Sequence, residues 1–256
     1  MSATYDKFAR FYDLEYGHKE NDIDFYLDMA EEFGGPVLEI GVGTGRIAIP
    51  MVEEGFQVTG IDNSAEMIKV AQEYLAELPE NSFENLRLFQ QDMKELNLEQ
   101  KFPLCIIPFR AFLHNLTQKD QLATLEKIYQ HLEPGGILAF DLFVPLYSVI
   151  SNDEWLDDIE EDELAIENSG VTISTFVKHN PVEQLMEIQN TYKSKSSSGQ
   201  QEICDATMTY RYVFRYEMEA LLTAAGFDTL HVWGGFEQQE YDFNSGIMVF
   251  IAQRPA

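Results

Sequence analysis

The sequence predicts an α/β protein whose main sheet is doubly wound and carries an antiparallel β insertion. Two observations support this prediction. Between residues 36 and 143, short apolar runs alternate with amphipathic helical patterns, which is typical of parallel strands joined by helical crossovers. From about residue 145 to 212 this alternation stops, and strand-like segments follow one another with only turns between them.

Seven short apolar runs have the pattern of buried strands. Five of them lie in the first part of the chain, and two close the chain after the insertion. They cover residues 36–40, 56–61, 86–90, 104–108, 136–141, 227–233 and 247–253. We therefore expect a main sheet of seven strands.

Helical patterns fill the spaces between these strands. Ser64 is a good N-cap for a helix whose apolar residues recur at three- and four-residue spacing. A second helix covers about 118–132 and stops at a proline-glycine turn, and a third covers 216–225 and stops at a glycine. Pro50 lacks a backbone N–H, so the helix after the first strand should kink or start irregularly.

The insertion is predicted to be an antiparallel sheet rather than another strand–helix–strand unit. Its strand-like segments are 171–179, 183–193 and 202–212, and residues typical of turns separate them. The acidic stretch 153–163 in front of them is expected to be a solvated helix or loop.

The composition is strongly acidic. The chain has 17 Lys and Arg residues against 44 Asp and Glu residues, which gives a formal net charge of -27 at pH 7. Such a surface repels phosphate backbones and anionic membranes, so we expect neither nucleic acid nor a membrane as a partner. The acidity serves solubility or, alternatively, attracts a cationic substrate.

Cysteine usage and hydropathy indicate a cytoplasmic protein that binds no metal. Cys105 and Cys204 form neither a disulfide framework nor a metal-spaced cluster, and Cys105 is expected in the core. Residues 1–10 lack the pattern of a secretion signal. No apolar stretch approaches the roughly 18 residues needed to span a bilayer.

A glycine-rich loop, Gly41-Val42-Gly43-Thr44-Gly45, directly follows the first strand. Open α/β sheets bind ligands at this place, and glycines let the backbone turn tightly and approach a ligand closely. The G-x-G-x-G spacing differs from the G-x-G-x-x-G of nicotinamide-binding loops, which hold a pyrophosphate. The loop therefore favours a ligand without phosphate.

The chain resembles the class I S-adenosylmethionine-dependent methyltransferases through four motifs in order. Residues 37–45 resemble the first motif of that family, 58–62 the second-strand motif, 91–93 the adenine-binding motif, and 132–136 a marker of the fifth strand. The resemblance implies a Rossmann-like sheet of seven strands with the last strand antiparallel. It also implies S-adenosyl-L-methionine as the cofactor.

The same resemblance assigns roles at the adenosine end of the cofactor. Asp62, with Asn63 beside it, would hold the ribose hydroxyls. Asp92 would accept from the adenine amino group, while Met93 would offer its backbone N–H and Met67 would cover the adenine face. The alternatives are a helix cap for Asp62, a turn residue for Asp92 and a core position for Met67.

Further candidates lie at the methionine end of the cofactor. Glycines of the loop either contact the cofactor or serve only a tight turn. Glu39 is an acid in an apolar strand, so it should face the ligand side and orient the methionine end or the glycine loop. The candidates of the loop are Gly41, Gly43 and Gly45.

The N-terminal segment and the insertion are candidate covers of the site. Residues 5–13 resemble the lid of small-molecule N- and O-methyltransferases, including those acting on deoxyamino sugars and on glycine. By that match Tyr12, with Tyr5, closes over the methionine end, or else both pack as an aromatic helix face. Aromatic residues of the insertion either cover the acceptor or form the core of that sheet: Phe176, Tyr192, Tyr210 and Tyr212.

The segment 109–115 follows the fourth strand, where class I enzymes present groups to the transferring methyl group. Phe109 is expected to contact the cofactor. His114 is the candidate general base because its ordinary pKa lies near neutrality, or it is a structural histidine bonded to a backbone carbonyl. Asp141, at the end of the fifth strand, could bind an amine or hydroxyl.

The Asn/Asp-Pro-Pro-Tyr pattern of nucleic-acid amino methyltransferases is missing from 109–115, which favours a small-molecule acceptor.

These features together predict methyl transfer to a nitrogen or oxygen atom of a small molecule, by a monomer or homodimer. Residues 1–35 would be an N-terminal helical cap, residues 36–144 and 213–256 the methyltransferase core, and residues 145–212 a substrate lid. One alternative is an NAD-dependent oxidoreductase. Another is a non-catalytic binding protein that retains the methyltransferase fold.

Overall fold

The computed structural model describes residues 2–17, 19–145, 164–166, 169–195, 200–242 and 244–256. The helices among these residues are α1 (Ser2–Tyr16), α2 (Ile23–Phe33), α3 (Ala48–Glu53), α4 (Ala65–Glu77), α5 (Gln118–His131) and α6 (Arg215–Ala225). The strands of the main sheet are β1 (Val37–Ile40), β2 (Val58–Asp62), β3 (Leu86–Gln90), β4 (Phe102–Ile107), β5 (Leu132–Phe143), β10 (Asp228–Trp233) and β11 (Ile247–Gln253). Those of the insertion are β6 (Leu164–Ile166), β7 (Val171–Asn180), β8 (Leu185–Lys195) and β9 (Gln201–Arg211).

The main sheet has the strand order β10-β11-β5-β4-β1-β2-β3. Strands β1 to β5 pair in parallel, whereas β11 pairs antiparallel with both β5 and β10. This confirms the predicted doubly wound sheet of seven strands with the last strand antiparallel. The chain runs outward from β1 to β3 and then returns to β4 on the other side of β1, so a crevice opens between the ends of β1 and β4.

Local sequence signals explain where the helices begin and end. The Ser64 side chain accepts from the backbone N–H of Met67 at 3.2 Å, which caps α4 as predicted. Gly226 adopts a φ of 96° after the end of α6, a left-handed conformation that costs glycine little. Helix α3 begins only at Ala48, so Pro50 lies in the first turn, where a missing N–H loses no intrahelical bond. The predicted irregular start of this helix is confirmed.

The insertion forms a four-stranded antiparallel sheet in the order β6-β7-β8-β9. Strands β7, β8 and β9 begin and end within two residues of the predicted segments. The short fourth strand, β6, was not predicted from the sequence. The sheet packs against α1, where the Phe11 and Tyr192 rings stack at 4.8 Å between centroids. The predicted acidic segment 153–163 lies outside the described residues.

Two apolar cores cover the faces of the main sheet. One contains residues of α5 and α6, and the other contains residues of α2 and α3. Cys105 is completely buried in the first core, as the sequence predicted. None of the helices in the described ranges is long and apolar enough to cross a bilayer.

A buried polar cluster joins the end of the insertion to the main sheet's helices. The Arg211 guanidinium, at the end of β9, donates to Gln121 Oε1 at 2.7 Å and to Glu217 Oε1 at 2.8 Å. It also donates to Gln184 Oε1 at 3.0 Å. Arg211 is only 8% exposed, so its charge depends on these acceptors rather than on water. The cluster therefore fixes the insertion to α5 and α6.

We expect Arg211→Met to lower the free energy of unfolding by about 3 kcal/mol, because it leaves buried polar partners without a donor. The matched control is Arg215→Met, which removes the same charge from a more exposed pair between Arg215 and Glu219 at 2.8 Å. That change should cost less than about 1 kcal/mol. Urea unfolding of both variants measures the difference, and equal losses would contradict this account.

Candidate active site

The glycine-rich loop after β1 is held against the end of β2 by its backbone. The N–H groups of Gly41 and Val42 both donate to the Ile61 carbonyl, at 2.8 and 2.9 Å. Gly43 N–H donates to Asp62 Oδ2 at 3.0 Å. Gly41 has a φ of 74°, and a Cβ atom there would lie 2.6 Å from the Cβ of Ala111. Only glycine at position 41 lets the loop and the segment after β4 approach each other this closely.

A pocket lies at the carboxyl ends of β1, β2, β3 and β4. It is covered by α1 on one side and by β9 of the insertion on another. Its lining consists of Tyr5, Tyr12, Tyr16, Gly41, Gly43, Ile61, Asp62, Asn63, Met67, Gln91, Met93, Pro108, Phe109, Ala111, His114, Met208 and Tyr210. The pocket therefore opens at the topological switch point of the sheet, where such folds bind ligands.

Most of the site residues predicted from the sequence lie in this lining. Those in the lining are Tyr5, Tyr12, Gly41, Gly43, Asp62, Asn63, Met67, Met93, Phe109, His114 and Tyr210. Those outside it are Glu39, Gly45, Asp92, Asp141, Phe176, Tyr192 and Tyr212.

Asp62 is fixed by backbone donors on both carboxylate oxygens. Its Oδ1 accepts from Ser64 N–H at 2.8 Å, while Oδ2 accepts from Gly43 N–H. Burial raises the pKa of this carboxyl, and the backbone N–H groups oppose the rise because they stabilise the ionised form. Each oxygen keeps lone-pair capacity toward the pocket, so Asp62 can accept further hydrogen bonds from a ligand.

Glu39 lies within β1 and is 2% exposed. Its Oε2 is buried without a hydrogen-bond partner among the described residues. Burial raises the pKa of Glu39 to about 8, although the nearby charge of Arg46 opposes the rise. The carboxyl is therefore largely protonated at neutral pH, rather than a charged ligand of the pocket.

Gly45 and Asp92 have structural contacts of their own. Gly45 adopts a φ of 91°, and a Cβ atom there would lie 3.0 Å from the Ile49 side chain. Asp92 Oδ1 accepts from Lys94 N–H at 2.9 Å and caps the short helix Met93–Glu95. Its neighbour Gln91 lies in the lining of the pocket, whereas Asp92 does not.

Asp141 lies behind the pocket wall rather than in the predicted acceptor-binding position. Its Oδ1 accepts from the Tyr26 hydroxyl at 2.8 Å and from Phe109 N–H at 2.7 Å. The residue is 2% exposed, and burial raises its pKa to about 6. Because Phe109 lines the pocket and Asp141 does not, Asp141 fixes the pocket wall from behind.

His114 lies in the short helix Ala111–His114 and faces the pocket. Its Nδ1 lies 3.2 Å from the Thr209 carbonyl oxygen, so Nδ1 must carry the proton. Nε2 is then an acceptor, and the Tyr5 hydroxyl donates to it at 2.7 Å. Burial lowers the pKa of His114 to about 4, which keeps the ring neutral. The Tyr210 ring packs on the imidazole at 4.6 Å between centroids.

Helix α1 is attached to the main sheet by three carboxylate contacts. Asp6 Oδ1 accepts from the Ser64 hydroxyl at 2.7 Å. Asp13 accepts from the Thr44 hydroxyl at 2.7 Å and from the Tyr74 hydroxyl at 2.8 Å. These bonds position the tyrosines of α1 that line the pocket.

Several known proteins are similar to this chain. A family model described as a methyltransferase domain matches residues 37–136. A Bacillus subtilis (strain 168) protein named as a methyltransferase is 32% identical over 140 residues, which are 54% of this chain and 55% of that protein. A Geobacillus sp. (strain WCH70) protein with the same kind of name is 27% identical over 98% of this chain and 100% of its own length. The glycine/sarcosine N-methyltransferase of Halorhodospira halochloris is 32% identical over 46% of this chain and 44% of its own.

Two solved structures have the same fold over nearly the whole chain. The CcbJ methyltransferase from Streptomyces caelestis superposes with a TM-score of 0.80 at 23% identity, covering 99% of this chain and 98% of that one. The sugar N-methyltransferase KedS8 from Streptoalloteichus sp. ATCC 53650 gives 0.73 at 16% identity, covering 100% and 94%. At these identities the likeness concerns the fold.

Residues 37–136 thus match a methyltransferase domain, and nearly the whole chain has the fold of solved methyltransferases. One solved structure with this fold, that of the amino pentose methyltransferase CalS10 from Micromonospora echinaspora, has S-adenosylmethionine bound. The lining fits an adenosine with an amino-acid tail, because Asp62 offers acceptor oxygens for hydroxyls and Met67 offers apolar surface for a base. The glycine at position 41 leaves the loop without a side chain at its closest approach to the segment after β4.

Sequence reasoning did not identify several lining residues of this pocket. They are Tyr16, Ile61, Pro108, Ala111 and Met208. Tyr16 follows Tyr12 at helical spacing, and its ring contacts Phe109 at 5.2 Å between centroids, so the aromatic face of α1 was the available signal. Met208 lies in the inserted sheet, and no motif marks it.

The lowered pKa of His114 predicts an effect of pH on stability. Below the ordinary histidine pKa the unfolded chain binds a proton at His114, whereas the folded chain does so only near pH 4. The stability that His114 contributes is therefore lost as the pH falls. From about pH 7 to about pH 5 the wild type should lose on the order of 1 kcal/mol more than His114→Gln. Urea unfolding at both pH values measures this, and identical losses would contradict the assignment of a neutral buried ring.

Proposed function

We propose that this chain transfers a methyl group to a nitrogen atom of a small-molecule amine. One observation carries the proposal most directly. The pocket that contains the Asp62 carboxylate is also lined by His114, Tyr5 and Tyr210. A ligand held at Asp62 can therefore share this pocket with a second molecule.

The adenosine end of the pocket supplies contacts of distinct kinds. Asp62 would accept from the ribose hydroxyls, with Asn63 beside it. Ile61, Met67 and Met93 would contact the faces and edge of the base. Asp92 would act on this site indirectly, by fixing the turn in which Gln91 and Met93 reach the pocket.

The methionine end would be enclosed by the glycine loop and by aromatic rings. Gly41 and Gly43 would let the backbone approach the ligand, while Gly45 packs on α3. Tyr12 and Phe109 would enclose the tail, with 6.5 Å between their centroids. Glu39 is buried in β1, two residues before the first glycine of the loop. From there it would orient the loop.

At the acceptor end the protein would position the acceptor through the hydrogen bond between Tyr5 and His114. When bound, S-adenosylmethionine supplies an activated methyl group on its sulfonium. The Tyr5 hydroxyl donates to His114 Nε2, so the Tyr5 oxygen has lone pairs free to accept an N–H of an amine. This contact would hold the amine with its own lone pair available, and the surrounding rings would exclude water.

Several features support a small amine as the acceptor. The net charge of -27 disfavours nucleic acid as a substrate, as argued from the sequence. Relatives of this chain include enzymes named for glycine/sarcosine and for sugar N-methylation. Met208 and Tyr210 of β9 lie in the lining, which supports a role of the insertion as a substrate lid.

Binding and turnover together test this function. Calorimetric titration should detect S-adenosylmethionine and S-adenosylhomocysteine binding to the wild type, with no binding of NAD. A panel of amines and alcohols then tests methyl transfer by mass spectrometry. Binding of NAD without either sulfur compound would support the oxidoreductase alternative. Cofactor binding without turnover across the panel would support the non-catalytic alternative.

Asp62→Ala should weaken S-adenosylhomocysteine binding by about 2 kcal/mol, because charge-assisted hydrogen bonds to the ribose are lost. Titration calorimetry measures this change, and a thermal melt verifies that the variant folds. Asp205→Ala is the control, since it removes the same charge from an exposed position on β9. An affinity of Asp62→Ala equal to that of the control would remove Asp62 from the site.

His114→Ala should lower the turnover number with little change in S-adenosylhomocysteine affinity, because the Tyr5 hydroxyl loses the acceptor that orients it. Tyr5→Phe should have a similar effect, since it removes the same hydrogen bond from the other side. Steady-state kinetics with the best amine of the panel measures both. Unchanged turnover in both variants would make this contact structural only.

A further inference from the structure

The chain turns sharply between the fourth strand of the main sheet and the short helix that contains His114. Strand β4 ends at Ile107, and the helix Ala111–His114 follows after a turn through Phe109 and Arg110. These two residues have φ values of 54° and 65°, so two consecutive non-glycine residues lie in the left-handed region. Such strain persists only where the surroundings enforce it, and it concentrates at functional sites. The turn therefore needs a contact that holds it.

Asp141, on the neighbouring strand β5, supplies this contact. Its Oδ1 accepts from the N–H of Phe109, the first residue of the strained turn, at 2.7 Å. The Tyr26 hydroxyl, on α2, donates to the same oxygen at 2.8 Å. Tyr26 is completely buried and Asp141 is 2% exposed. Helix α2 thus holds the carboxylate, and the carboxylate holds the backbone of the turn.

The charge of Asp141 strengthens this contact. Burial raises the pKa of its carboxyl to about 6, and nearby Asp22 raises it as well, whereas the hydrogen bond from Tyr26 and the charge of Arg110 oppose the rise. The carboxyl is therefore mostly ionised at neutral pH. An ionised acceptor makes shorter and stronger hydrogen bonds than a neutral one, so a neutral amide at position 141 would hold the turn less firmly.

The turn determines where the short helix places His114. The Arg110 carbonyl accepts a backbone hydrogen bond of this helix at 2.9 Å. Beyond the helix, Asn115 is fixed to α5, because its Oδ1 accepts from the Thr124 hydroxyl at 2.9 Å. Both of these side chains are buried. The segment 109–115 is thus anchored at each end by a buried polar pair, with His114 between the two anchors.

We propose that Asp141 and Tyr26 are positioning residues for methyl transfer. They hold the left-handed turn, and the turn fixes His114 where the Tyr5 hydroxyl donates to its Nε2. The inference rests on the proposed function, in which this hydrogen bond positions the acceptor amine. Neither Asp141 nor Tyr26 lines the pocket, so both act through the backbone of the turn.

A second substitution that removes the strain separates this role from general structural damage. Asp141→Asn keeps the size of the side chain but loses its charge. Glycine adopts the left-handed region readily, so Arg110→Gly should make the turn independent of Asp141. Arg110→Ala is the matched control, because it removes the same side chain and keeps the strain. Asp228→Asn, at the exposed start of β10, controls for the loss of a carboxylate from the main sheet.

Asp141→Asn should lower the turnover number with the best amine of the panel about tenfold, because misplaced reacting groups slow the transfer. Tyr26→Phe removes one of the two donors and should lower it about threefold. Adding Arg110→Gly to Asp141→Asn should restore most of the lost turnover. Adding Arg110→Ala should restore none of it.

A second readout does not depend on turnover. Selective ¹⁵N labelling of histidine reports the tautomer of His114, whose Nδ1 carries the proton in the wild type. Comparison with His114→Gln assigns its signal among the five histidines of the chain. The Nδ1–H signal should shift in Asp141→Asn, return when Arg110→Gly is added, and remain shifted when Arg110→Ala is added.

Two results would overturn the positioning role. One is wild-type turnover together with an unchanged His114 signal in both Asp141→Asn and Tyr26→Phe. The other is equal recovery with glycine and with alanine at position 110, or recovery with neither, in variants whose thermal melts show a folded protein. If Asp141→Asn does not fold, Tyr26→Phe with the same two additions decides.

Failure of the proposed function has a different signature. A wild type that neither binds S-adenosylhomocysteine nor methylates any amine would contradict that function. The His114 signal would still show whether Asp141 and Tyr26 position the ring, so the two failures are distinguishable.

Discussion

The contact between the glycine loop and the end of β2 is the constraint on which the site depends. The loop donates two backbone hydrogen bonds to one carbonyl, that of Ile61, and a third to the Asp62 side chain. This approach requires glycine at position 60 as well, because a Cβ atom there would lie 2.8 Å from the Val42 side chain. The same contact thus closes the loop over β2, orients the Asp62 carboxylate and leaves the pocket open between β1 and β4.

Near His114 and Phe109, the wall of the pocket is fixed by buried side chains whose pKa values are shifted by burial. His114 stays neutral and accepts from Tyr5, while Asp141 holds the strained backbone at Phe109. Burial shifts the pKa of His114 down to about 4 and that of Asp141 up to about 6. These groups hold Tyr5 and Phe109 in fixed positions before any ligand arrives, which lowers the entropic cost of binding.

The fold and the position of Asp62 in the pocket were predictable because their signals are local in the sequence. Ser64 caps α4 through a residue three positions away, and Asp62 is the last residue of its own strand. The role of Asp141 could not be predicted, because its partners Tyr26 and Phe109 are 115 and 32 residues away. Asp92 was expected in the lining, but its carboxylate instead accepts a hydrogen bond from the backbone N–H of Lys94, two residues away. Contacts of Met208 depend on how the insertion packs, which no short motif encodes.

The crystal structure of the complex with S-adenosylhomocysteine tests the central claim most directly. The account predicts the two ribose hydroxyls within about 2.6–3.2 Å of the Asp62 carboxylate oxygens, with Asp62 still accepting from Gly43 and Ser64. It also predicts that the amino-acid tail extends past the glycine loop toward Phe109. A ribose bound away from Asp62, or a loop displaced from the Ile61 carbonyl to admit the ligand, would contradict the account.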